Sequence, residues 1–438
     1  MNEWLPISEL FDFKKGTLQS SKCTPGKFNF ITAAEEWKTH NNYSHDCEAL
    51  IFAMAASGSL GRTHYVNGKF ISSDLCFILT PKAKKKVDLP FYYRVFNFIR
   101  EDIVKKTKTG TSKLAINQSN FGNYKIPYFN YEHQLVFRNK IDKISEIKIN
   151  LLNGFTDQTS YLSLLRQAIL QEAIEGKLTA DWRKKNPVRK GDPDMDTTAL
   201  LEKIKADKKN LIAEGKIKKE KPLAPIKPEE VPFNLPDGWV WCRLGDLVEL
   251  ITKGSSPGWQ GINYVSKGNG IRFITSKNVG CYRIDLADET FVDIRFNEIE
   301  PRSVLRKGDI LTNIVGASIG RTAVFETDDL ANINQAVCLI RYSHHYINRM
   351  YFLHWMNSSW IVNKMHEDEF APGRANLSMA NVASFPFPVP PLAEQRAIVE
   401  RVERLLAMVD ELEKQVTKRK GQSEELMQAV LREAFNGQ

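Results

Sequence analysis

The chain is written twice. Residues 112–177 match residues 373–438 at a constant offset of 261, with Ile116 opposite Leu377, Gln134 opposite Gln395 and Ala168 opposite Ala429. Glu172 meets Glu433 and Gly176 meets Gly437 in the same register. Upstream the offset drifts, but Ser59-Leu60-Gly61-Arg62-Thr63 still answers Ser318-Ile319-Gly320-Arg321-Thr322, and Phe30-Ile31-Thr32 answers Phe273-Ile274-Thr275. A tandem repeat of this length forces two similar bodies, each a mixed unit followed by a helix.

The helical part of each copy steps by three and four. Ile141, Ile144, Lys148, Leu151, Phe155, Gln158, Leu162, Leu165 and Ile169 form one seam. Val402, Leu405, Val409, Leu412, Val416, Arg419, Ser423, Leu426 and Val430 form its partner. Proline interrupts neither run, so each is read as a long helix whose apolar stripe is spent on the other. Between them, 177–236 is basic and holds seven of the 19 prolines, a composition that favours an extended tether, with one helix expected near 197–214. The fold class is therefore α+β: mixed domains at 1–131 and 237–393, long helices at 132–176 and 394–438, and the helices paired as an antiparallel coiled coil.

Within each mixed unit, apolar runs at 50–54 and 310–315 lead into Gly/Ser-rich turns and second strands at 62–66 and 321–325. Buried strands are expected at 76–79 and 337–340, and single helices at 92–106 and 351–364.

Charge separates the copies. The formal net charge of +9 contains +7 from residues 1–131 and +5 from 177–230, against −1 from 231–393. The first unit suits a polyanion, because lysine and arginine release counterions from phosphates. The six cysteines are scattered without metal-ligand spacing, and no apolar run reaches the ~18 residues that span a bilayer. A reduced, cytoplasmic chain is expected, with no membrane partner.

Several catalytic signatures are absent. There is no GxxxxGK[ST] phosphate loop, no GxGxxG, no HExxH and no Asn/Asp-Pro-Pro-aromatic tetrapeptide of an amino-methyltransferase. The residues point to a binder, and three readings stand: a DNA-binding subunit, an enzyme with an unfamiliar motif, or a coiled-coil adaptor that binds protein.

Readout of DNA needs donors and acceptors at base edges, and positioning needs amines and hydroxyls at phosphates. Polar loops following the short helices supply Lys108, Thr109, Thr111, Ser112 and Lys113 in copy one, and Arg374, Asn376 and Ser378 in copy two. Arg62, Thr63, Arg321 and Thr322 follow the glycine turns and form a second group, for which a hinge role is equally open. Where the copies differ, residues 22–27 and 255–269, with Trp259, Gln260, Asn263 and Tyr264, are candidate base readers. On the long helices, Tyr161, Leu164, Ile174, Met427, Leu431 and Phe435 lie off the seam and are candidate contacts for a partner protein.

The chain resembles the specificity subunits of Type I restriction–modification systems. The likeness is carried by Gly316-Ala317-Ser318-Ile319-Gly320-Arg321-Thr322 and by Pro386-Phe387-Pro388-Val389-Pro390-Pro391-Leu392-Ala393-Glu394-Gln395 running into a helix. Glu175-Gly176-Lys177-Leu178-Thr179-Ala180-Asp181-Trp182-Arg183 adds to it. Copy one departs from the prolyl pattern, reading Phe129-Asn130-Tyr131-Glu132-His133-Gln134, but keeps the glutamine. The resemblance implies two target recognition domains, each reading half of an asymmetric bipartite site in double-stranded DNA. It also implies two modification subunits docked on the helices, which carry S-adenosylmethionine and the methyltransferase site. A restriction subunit with ATP and Mg²⁺ would join them, and this chain would hold no cofactor.

Overall fold

The computed structural model describes all residues except 1–2, 57, 111–113, 370–376 and 437–438, and leaves the side chains of 368–369 and 431–436 undescribed. The chain divides into two compact units, 1–156 with 417–438, and 157–416.

In the first unit, β1 (Glu3–Pro6), β2 (Phe11–Lys15), β3 (Phe28–Ile31), β4 (Lys38–His40), β5 (His45–Ala53), β6 (Thr63–Ser72) and β7 (Cys76–Pro81) come first. Helices Leu89–Phe98 and Arg100–Thr107 follow, then β8 (Lys108–Thr109), β9 (Ala115–Ile116) and β10 (Lys125–Tyr128). Six strands form one sheet in the order β2-β7-β5-β6-β3-β4, antiparallel except at β3–β6. β5 begins half-exposed and ends in five consecutive buried residues, Ala49 to Ala53, as a central strand covered on both faces should. Phe11, Phe52 and Phe121 pack there against Phe96 and Tyr92 of the helix Leu89–Phe98.

The second unit repeats this plan with β11 (Val240–Arg243), β12 (Leu250–Lys253), β13 (Tyr264–Val265), β14 (Ile271–Ile274), β15 (Phe291–Val292), β16 (Ile310–Asn313), β17 (Thr322–Val324), β18 (Ala331–Ile333), β19 (Val337–Arg341) and β20 (Pro386–Val389). Its strands divide into two four-stranded sheets, β12-β19-β16-β17 and β13-β15-β14-β18. The match is close: β14 lies parallel to β18 as β3 does to β6, and β11 pairs with β20 as β1 does with β10. The long strand β6 corresponds to β17 and β18 together. Residues 325–330, with Asp328, Asp329 and exposed Leu330, interrupt the strand and split the sheet.

Three expectations need correction. The helices expected at 92–106 and 351–364 are each two, because the chain breaks at Ile99 and at Asn357-Ser358. The breaks let the second helix of each pair turn its valine against the glycine turn. The linker is not an extended tether. Helix Thr197–Ala213 forms as expected, and Thr179, Met195, Thr197, Leu200 and Ile204 are buried in the second unit. Glu394, itself buried, accepts hydrogen bonds from Thr179 Oγ1 (2.6 Å), from Trp239 Nε1 (2.8 Å) and from the Arg183 guanidinium. Nearby, Arg401 holds Asp181 through both carboxylate oxygens at 2.6 and 2.7 Å. The third correction concerns the seam.

The long helices span Tyr131–Ile174 and Leu392–Asn436. Within the second unit they run antiparallel: Arg166 meets Glu413 at 2.8 Å and also Asp410, while Arg401 reaches back to Leu178. Leu162, Ile169, Leu170 and Ala173 share a core with Val402 and Val409. Seam residues Leu165 (43%) and Leu412 (45%) stay exposed, against expectation. A two-helix pair covers each seam residue from one side only, so the outer edge of the stripe remains wet.

Candidate nucleic-acid interface

Both glycine turns are built for close approach. Gly61 (φ +78°) and Gly320 (φ +83°) use the left-handed region that favours glycine. A Cβ on Gly61 would stand 2.6 Å from Val104, and one on Gly320 would stand 3.0 Å from Val362. The threonines that follow are interior. Asn97 accepts from the Thr63 amide (3.1 Å) and donates to its carbonyl (2.9 Å), and Asn357 donates to the Thr322 carbonyl (3.1 Å). Thr322 Oγ1 also donates to Thr312 Oγ1 at 2.8 Å. Thr63 and Thr322 are buried and cannot meet DNA, which corrects their selection as contacts. Arg62 is largely occupied, donating to Ala33 O (3.1 Å) and Ser59 Oγ (3.2 Å) with Glu35 at 3.6 Å. Arg321 is exposed.

Lys108 and Thr109 are exposed on β8, where Thr109 Oγ1 donates to Ala115 O at 3.1 Å. A bridge between Ala55 and Ala115, with the Ile116 amide on Met54 O (2.8 Å), docks this hairpin beside the glycine turn. The structure thus brings Lys108 and Thr109 next to the segment that leads into Arg62. Thr111, Ser112, Lys113, Arg374 and Asn376 lie outside the described residues. Ser378 caps the helix Met379–Ser384 by accepting from the Asn381 amide, as Asn117 caps Gln118–Asn123 at the matching position. That cap is a structural task.

In copy two Trp259 is 79% exposed on the turn Pro257–Gln260, and Tyr264 is 62% exposed with its ring edge-on to Phe273. Asn263 is exposed between them. Gln260 is engaged inward, donating to Glu300 (2.8 Å) and Ser255 (3.2 Å). Copy one presents a comparable mixture that motif searching missed: Lys69 lies 4.8 Å from the Tyr43 ring, which packs on Phe28. Elsewhere in the same unit Trp37 donates its indole N–H to His64 Nδ1 at 3.2 Å. Their signal was lysine interleaved with aromatics on neighbouring strands, invisible until β3, β4 and β6 were paired.

The lysine run 82–86 is less available than its composition suggests. Lys85 pairs with Glu3 at 2.6 Å, and Lys82 donates to Ser8 O at 2.7 Å.

On the helices Tyr161 and Leu164 are exposed, as a docking role requires, and Met427 is half-buried. Ile174 is fully buried in the core of the second unit, which removes it from any docking face. The side chains of Leu431 and Phe435 lie outside the described residues. Among the described residues no cluster of His, Cys, Asp or Glu is arranged to hold a metal, and no helix is long and apolar enough to cross a membrane.

Comparison with known proteins follows the repeat. A family model described as the Type I restriction modification DNA specificity domain matches residues 2–158 and again 236–419. The EcoDI Type I restriction enzyme specificity subunit of Escherichia coli is 23% identical over 439 residues, covering 99% of this chain and 87% of that one. The EcoAI specificity subunit of the same species is 27% identical over 272 residues, 59% of this chain. That alignment, like the one with the EcoEI subunit, spans 42% of the relative's length. Among solved structures, a chain from a study of complex assembly and conformational transition of the type I R-M system covers all of this chain at TM-score 0.62 and 18% identity. The HsdS subunit from Thermoanaerobacter tengcongensis does so at 0.53 and 17%. At such identities the likeness is one of fold.

Proposed function

Because the chain belongs to the Type I restriction modification DNA specificity domain family, with both copies matched, we propose that it is the DNA-recognition subunit of a Type I restriction–modification complex. Each mixed domain reads one half of an asymmetric bipartite site in duplex DNA. The paired helices set the spacing between half-sites and offer Tyr161 and Leu164 to two modification subunits. The observation that carries this reading is a scaffold held constant while its surface changes. The two copies share strand order, turn glycines and helix roots, yet one exposes Lys69 and Tyr43 where the other exposes Trp259 and Tyr264. Two unlike surfaces on one framework suit two unlike half-sites.

In this reading the chain is not catalytic and works in the cytoplasm. S-adenosylmethionine belongs to the modification subunits, and ATP with Mg²⁺ to a restriction subunit where one is present.

The test is to co-express the chain with its modification subunit and map methylated positions in host DNA by single-molecule sequencing. One asymmetric bipartite motif that vanishes when the chain is deleted is the expected result. Methylation indifferent to the chain would overturn the reading and favour a protein-binding adaptor.

A further inference from the structure

Beside the first glycine turn lies a groove of about 540 Å³, walled by Ala56, Gly58 and Leu114 and edged by Arg100, Lys105 and Lys108. Among the described residues Glu101 is its only acidic lining residue. Arg100 is anchored on the groove wall by its bonds to Leu60 O (2.8 Å) and Gly58 O (2.9 Å). Burial, and to a lesser degree the Arg62 guanidinium, pushes its pKa down. Lys105 and Lys108 are exposed and have no ion-pair partner among the described residues, whereas Lys106 on the same helix is held by Asp102 at 2.8 Å. The wall is strained: Ala56 has φ +98°, a conformation that residues with a Cβ rarely adopt.

The second copy's helix also packs a valine, Val362, on the turn glycine. Its sequence there, Lys364-Met365-His366-Glu367-Asp368-Glu369, has one lysine and three acidic residues.

We propose that the groove edged by Arg100, Lys105 and Lys108 is a DNA phosphate-backbone site belonging to the first recognition domain alone. It rests on the reading of the chain as a DNA-specificity subunit. The two domains then bind by different physics. The first grips the backbone through counterion release at this groove, and the second lacks the equivalent pair of lysines in sequence. Sequence specificity is left to other surfaces, because phosphate contacts carry no base information.

The test measures binding of the full chain to a random-sequence duplex by fluorescence anisotropy over a salt series. Each lost phosphate contact lowers the slope of log K against log salt by about 0.9, so Lys105→Gln with Lys108→Gln should lower it by about two. The deficit should be largest at low salt and fade towards molar salt. Replacing both lysines by arginine instead should retain the wild-type slope. An unchanged slope in the glutamine variant, or a lowered slope in the arginine variant as well, overturns the site. If either occurs while methylation in cells keeps its motif, the DNA-specificity reading stands and only the groove falls. Absence of any duplex binding by the wild-type chain would overturn both.

Discussion

Gln134 and Gln395 make the same three hydrogen bonds at the roots of the two long helices. Gln134 donates to Phe129 O (2.7 Å) and Lys86 O (3.1 Å) and accepts from the Asp88 amide (2.7 Å). Gln395 donates to Pro390 O (3.0 Å) and Tyr346 O (3.5 Å) and accepts from the Asn348 amide (2.7 Å). Asp88 and Asn348 are themselves the N-caps of Leu89–Phe98 and Arg349–Met356. One buried amide therefore ties each long helix to the cap of the helix packed on its sheet.

Replacing Gln395 by leucine would leave the buried Pro390 carbonyl and the part-buried Asn348 amide and Tyr346 carbonyl without this partner. Orphaned polar groups cost about 1–3 kcal/mol each. With partial relaxation, a loss of about 3 kcal/mol is expected for Gln395→Leu, and a similar loss for Gln134→Leu. Urea unfolding checks this, and unchanged midpoints would refute the clasp.

Glycine replacements should differ in sign with the space around them. A Cβ on Gly16 would stand 2.1 Å from Ser73 O, and one on Gly254 1.8 Å from Ile333 O, at matching strand ends in the two copies. Gly16→Ala and Gly254→Ala should each destabilise by at least about 2 kcal/mol, because backbone must move. Gly154 lies inside a helix with nothing near its missing Cβ, so Gly154→Ala should stabilise by about 0.5–1 kcal/mol. Thermal melting of the three variants compares the signs directly.

Acid should unfold the second unit in two separable windows. Burial lowers the His354 pKa from 6.5 to about 4, and its Nδ1 lies 3.1 Å from the Tyr282 hydroxyl. The unfolded chain takes that proton first, so the contribution of neutral His354 is complete above pH 6.5 and is lost as the pH falls towards 4. Arg243 holds the Glu230 carboxyl at about 2, down from 4.5, so its contribution is lost only between 4.5 and 2. His354→Phe should flatten the stability profile in the upper window and Glu230→Gln in the lower. A variant that keeps the wild-type slope in its own window would contradict the assignment.

Along the helix pair, packing should outweigh charge. Arg166 with Asp410 and Glu413 is partly exposed, so Arg166→Ala should cost at most about 1 kcal/mol and less in high salt. Ile169 is buried against the partner helix, and Ile169→Ala should cost about 2–4 kcal/mol. Urea midpoints at low and high salt separate the two, and a larger loss from Arg166→Ala would reverse the order.

Much of the plan is legible in the residues. The 261-residue offset, the proline-free seams and the glycine turns dictate two similar units with a long helix each, because periodicity and backbone freedom are local properties.

Burial was decided elsewhere. Thr63 and Thr322 sit in polar turns that read as contact loops, yet Asn97 and Asn357, more than 30 residues away in each copy, bond them into the interior. Ile174 lies off the heptad seam, but the linker folds back and covers it, since Glu394 recruits Thr179, Arg183 and Trp239 around a buried carboxylate. Among the described residues Lys105 and Lys108 have no ion-pair partner while Lys85 and Lys106 are paired, a distinction made by where Glu3 and Asp102 fall. Local sequence sets which way a side chain can point. What waits there is set by elements distant in the chain, and only their packing in three dimensions determines it.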